Sequence, residues 1–147
     1  MARPKGERKS LDVHVTVTPE LAREIDSRGP RSEVIRRDLE RLYRLYRYAI
    51  RQVSLSPEEA CLIVDALNGA LMDADSAPML WAEVEDGIRL EGLDAKWGVD
   101  GQALIEKLRA LDRLTCLALV DAAERFWHEC PDEDPRQAVR RFFLVRE

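Results

Sequence analysis

Cysteine, histidine and aromatic side chains are scarce in this chain of 147 residues: three Cys, two His, and three each of Trp, Tyr and Phe. Each shortage excludes something. Cys61, Cys116 and Cys130 are scattered and odd in number, so they build no disulfide framework, and Cys61 and Cys116 stand among apolar residues as small hydrophobes. His128 and Cys130 lie near Glu129 and Asp132, but two ligands without a second pair do not make a metal site. There is no Gly-rich phosphate loop and no Ser or Cys nucleophile with a matching His base. The expectation is a protein that is not an enzyme and that carries no metal or cofactor. No apolar run approaches bilayer length, and the amino terminus is charged rather than apolar. This argues against a membrane span or a secretory signal and predicts a cytoplasmic protein.

What is present begins at Leu11, where Leu11, Val13, Val15 and Val17 alternate with Asp12, His14 and Thr16. That period of two predicts a half-buried strand. A single strand leaves both hydrogen-bonding edges open, and nothing else in the sequence reads as a strand, so the expected partner is the same strand of a second copy. Helix signals follow at once. Thr18 suits an N-cap, Pro19 the first helical position and Glu20 the positive end of the dipole. Gly29-Pro30 ends that helix. A second helix is expected from a Ser32 cap, with Val34, Ile35, Leu39, Leu42, Tyr46 and Ile50 at helical spacing and Arg36, Arg37, Arg41, Arg44, Arg47 and Arg51 on its other faces.

The pieces VHVTVTPELAREID and RSEVIRRDLERL resemble the ribbon-helix-helix DNA-binding proteins of the Arc, MetJ and CopG type, over about residues 10–50. The resemblance implies an intertwined homodimer whose paired strands lie in the major groove of double-stranded DNA. It implies base reading by Asp12, His14 and Thr16, of which Asp12 departs from the usual basic or amide residue and has Arg3, Lys5, Arg8 and Lys9 of the amino-terminal arm as possible ion-pair partners. It further implies phosphate binding by the start of the second helix, Arg31, Ser32 and Glu33, together with Lys5, Arg8 and Lys9.

Charge divides the chain. Residues 1–52 hold 13 Lys and Arg against 8 Asp and Glu, a balance of +5; of the totals of 23 and 28, the remainder keeps 10 against 20, a balance of −10. A basic head attracts phosphates and an acidic body avoids them. Beyond residue 53 the sequence predicts helices joined by short turns. They are a capping box at Ser56-Pro57-Glu58-Glu59 opening a helix that reaches Leu71, a helix from Pro78 closed by Gly92, one over 100–111, one over 115–128, and a short last helix holding Ala138, Val139, Phe142 and Phe143. Trp81, Trp97, Phe126 and Trp127 are expected to form its core. The carboxylates Glu83, Glu85, Asp86 and Glu91 read as a solvated surface.

The expected fold class is mainly α: a ribbon-helix-helix head over 1–53, with one strand per chain and an intertwined dimer, then an acidic all-helical domain over 54–147. The expected function is a sequence-specific transcriptional repressor associated with a bacterial or archaeal nucleoid, with higher-order assembly on DNA left open. The acidic domain is left to bind an effector or a protein partner. The alternative is an antitoxin-like adaptor whose acidic domain masks a basic partner while the head controls its own gene. An unbroken helix from Ser32 to about Val53 would couple the two parts.

Overall fold

The computed structural model describes residues 15–143, and among them every regular element is helical. No strand occurs among the described residues, which overturns the ribbon-helix-helix fold class. Residues 11–14 of the expected strand, Asp12 and His14 among them, lie outside the described residues. Its remaining residues, Val15, Thr16 and Val17, carry no strand pairing, and Val15 is 61% exposed. The alternation there meets no second strand to accept its backbone hydrogen bonds, and period alone does not make a sheet. The chain divides into two compact units, Met1–Glu40 and Arg41–Glu147.

The first unit is a helical hairpin. Helix α1 (Pro19–Arg28) opens as its sequence requires: the Thr18 side chain accepts from the Leu21 N–H at 3.3 Å and Pro19 occupies the first turn. It ends at Gly29, whose φ of +134° is a conformation that side chains rarely tolerate. Helix α2 (Arg31–Arg51), which runs on past Glu40 into the second unit, begins two residues earlier than the Ser32 cap predicts. The Pro30 carbonyl accepts from the Glu33 and Val34 N–H groups at 3.1 and 3.0 Å, so Ser32 lies inside the first turn. Two forked ion pairs clamp the hairpin. Arg28 donates to both oxygens of Asp38 at 2.6 and 2.8 Å, and Arg31 to both oxygens of Asp26 at 2.6 and 2.7 Å. Within residues 15–40 only Ile25 and Val34 are buried.

The second unit has a proper core. Helix α3 (Pro57–Ala66) carries the full capping box, Ser56 accepting from the Glu59 N–H and Glu59 accepting from the Ser56 N–H. Ala60 to Val64 are all essentially inaccessible, so this helix is apolar around its whole circumference and sits in the middle of the others. Around it pack α4 (Leu80–Glu91), which follows a 3₁₀ turn at Ala77–Met79, α5 (Leu93–Trp97), α7 (Arg113–Glu129) and α8 (Pro135–Phe142). Helix α6 (Gly101–Arg109) packs on α4. Gly87 lets α4 approach: a Cβ there would stand 2.8 Å from Leu93 Cδ1 and 3.2 Å from Ala66 Cβ. Lys107 fastens α6 to the start of α3, donating to both oxygens of Glu59 at 2.6 and 2.8 Å and to the Ser54 carbonyl at 2.9 Å.

Three expectations need correction here. Helix α3 stops at Ala66, leaving Leu71 wholly exposed. Helix α5 was not anticipated; it is bounded by the left-handed glycines Gly92 and Gly98, at φ +66° and +68°. The core is aliphatic around Phe126, and the three tryptophans are only partly buried. The polar partners of their indoles explain this, an N–H acceptor for two and a guanidinium over the ring for the third. Trp97 donates to Asp65 at 2.7 Å and Trp127 to the Val64 carbonyl at 3.0 Å, while Trp81 lies under the Arg109 guanidinium at 4.3 Å. All three cysteines are buried, and burial pushes the Cys61 thiol up to about 12.

Candidate functional site

Of the residues singled out for DNA, Lys5, Arg8, Lys9, Asp12 and His14 lie outside the described residues. Thr16 is exposed on irregular backbone ahead of α1. Arg31, Ser32 and Glu33 form the exposed first turn of α2. There the Arg31 guanidinium is engaged by Asp26, whose carboxyl it holds below the usual carboxylate range through those hydrogen bonds. The Glu33 N–H is already donated to Pro30.

The remaining arginines of α2 follow helix geometry. At about 100° per residue, Arg36, Arg37, Arg41, Arg44, Arg47 and Arg51 fall on one broad face, and Ile35, Leu39, Leu42, Tyr43, Tyr46 and Ile50 on the opposite one. Arg36 is paired with Glu40 at 3.0 Å and Arg37 lies 3.9 Å from Asp38. Arg41, Arg44, Arg47 and Arg51 make no ion pair among the described residues. No family model, curated protein or solved structure matches this chain. The apolar face of α2 is unevenly covered. Leu39 is 48% exposed and Tyr43 45%, whereas Ile50, near the end of the helix, packs on the core of the second unit. Tyr46 is the partly buried tyrosine of this helix, and Tyr48 is exposed.

Sequence reasoning missed the basic end of the acidic body. Helix α8 is strongly two-faced, with Ala138, Val139 and Phe142 buried and Arg136, Arg140 and Arg141 exposed. The signal was the spacing of those three arginines, diluted in the balance of −10. Near the same helix, Arg141 donates to Glu133 and lies 2.7 Å from Cys130 Sγ. Burial raises the Cys130 thiol more than Arg141 lowers it. Among the described residues no three His, Cys, Asp or Glu side chains converge as metal ligands, and His128 is exposed. No helix among them is long and apolar enough to cross a membrane.

Proposed function

We propose that this chain is a dimeric double-stranded DNA-binding transcriptional regulator that represses by occupying its site. The observation that carries the reading is the arginine face of α2, where Arg36, Arg37, Arg41 and Arg44 are exposed in succession and two of the four have no carboxylate partner among the described residues. Such a face supplies phosphate contacts along a duplex and releases counterions on binding. The charge balance of +5 over residues 1–52 supports it, as does the resemblance of residues 31–42 to a segment of known DNA-binding proteins. Dimerisation is supported by the hairpin itself: two buried side chains are too few for a core, and the exposed Leu39 and Leu42 offer a second copy an apolar surface.

The test is binding of the full chain to duplex DNA at several salt concentrations, read by fluorescence anisotropy. The expected result is a steep loss of affinity with salt, and in Arg41→Ala/Arg44→Ala a weaker, shallower dependence with the slope reduced by about 2. No duplex binding at low salt would reject the reading, and capture of a basic protein partner in its place would favour the adaptor.

A further inference from the structure

The second unit contains a concave site that its net acidity conceals. It lies between the end of α2, the middle of α7 and the end of α8, with a volume of about 250 Å³. Among the described residues five arginines line it, Arg47, Arg51, Arg125, Arg140 and Arg141, against one carboxylate, Asp121. Over residues 41–147, where acidic residues outnumber basic ones 20 to 14, such a concentration of one sign is not the background composition. It also has an internal cost. Arg47 and Arg51 are four residues apart on one helix, a spacing at which like charges repel, and neither has an ion-pair partner among the described residues to relieve this.

The floor of the site is aromatic. Phe142 is buried beneath two guanidinium groups, Arg125 at 5.4 Å and Arg141 at 5.9 Å from the ring centroid, and Tyr43 and Tyr46 line the side contributed by α2. Arg125 is only loosely held by Glu129, at 3.6 Å. The wall therefore combines forked donors with flat apolar surface, the pairing that recognises a carboxylate or phosphate attached to a ring. Size narrows the ligand further. Sites for drug-sized molecules span roughly 300–1,000 Å³, so this one accommodates a single-ring anion and excludes a dinucleotide. A duplex, being convex, presents at most one phosphate to a hollow of this size.

We propose that this cavity is an effector site for a small aromatic anion, its carboxylate or phosphate held by Arg47 and Arg51 and its ring against Tyr46 and Phe142. The inference is independent of DNA binding and is tested without DNA. The full chain is titrated by calorimetry, in low chloride, with phenyl phosphate, benzoate and inorganic phosphate. Phenyl phosphate or benzoate is expected to bind more tightly than inorganic phosphate, and the better of the two identifies the head group. Arg47→Ala and Arg51→Ala each weaken that binding by about tenfold, the effect of losing one charge-assisted hydrogen bond. Arg113→Ala, which removes an arginine of α7 that does not line the cavity, leaves it unchanged. Asp121→Asn, which deletes the only negative charge of the lining among the described residues, tightens it, a gain that misfolding cannot mimic. Absence of binding by all three probes overturns the proposal, as does equal weakening by Arg113→Ala, or inorganic phosphate matching the aromatic anions.

Discussion

At the scale of single residues, Asp121 illustrates how position overrides composition. It is one of many acids, yet burial raises its carboxyl above the ordinary range, Arg125 offsetting only part of the effect; Tyr46, held up chiefly by its own burial, is raised further by the charges of Asp121 and Glu124. A carboxyl whose folded pKa exceeds its unfolded value of about 3.9 binds protons more tightly when folded. Its contribution to stability is complete below that pH and is lost as pH rises through the folded pKa. At neutral pH the charged form is therefore a burden. Asp121→Asn is expected to unfold at a higher temperature than the parent near neutral pH, with the difference closing below about pH 4. Thermal denaturation of both proteins across that window checks it; a variant less stable at neutral pH would show that the arginines around the cavity dominate instead. None of this was legible in the sequence, because the desolvation of Asp121 depends on α7 meeting α2 and α8, residues far apart in the chain.

At the scale of elements, local signals were read correctly where the chemistry is local. The Ser56 capping box, the Thr18 cap and the closure of α4 by Gly92 all rest on groups within four residues of one another. Failure came where a signal needs a distant partner. The alternation around Val15 needs a second strand, and the tryptophans needed known acceptors for their N–H groups before their rim positions followed. The capping box offers the sharpest test, because Glu59 serves two elements at once, the start of α3 and Lys107 of α6. Ser56→Ala removes the acceptor for the Glu59 N–H and is expected to cost about 1 kcal/mol, lowering the melting temperature by roughly 4 °C. Differential scanning calorimetry of the full chain measures it. A loss several times larger would mean that the Lys107 bridge fails together with the cap.

At the scale of the whole molecule, the two units differ in self-sufficiency, and that difference makes oligomeric state the informative quantity. Residues from Val53 onward bury a continuous core from Leu62 and Ile63 to Phe126 and Phe142, as a domain that folds alone should. The hairpin of α1 and α2 instead depends on Ile25, Val34 and two surface ion pairs, and exposed ion pairs contribute little because water and salt screen them. Its half-exposed Leu39 and the neighbouring Leu42 are apolar surface left uncovered among the described residues. Burying them against the same residues of a second copy would supply the missing core by a symmetric contact. The full chain is accordingly expected to sediment as a dimer at micromolar concentration, and Leu39→Glu to shift it to monomer while the helical content of the second unit is retained. DNA affinity should fall with the dimer, since a monomer presents half the arginine face and so loses about half the salt slope. A wild-type chain that stays monomeric yet binds duplex with the full slope would separate DNA binding from dimerisation and leave that apolar stripe to another partner.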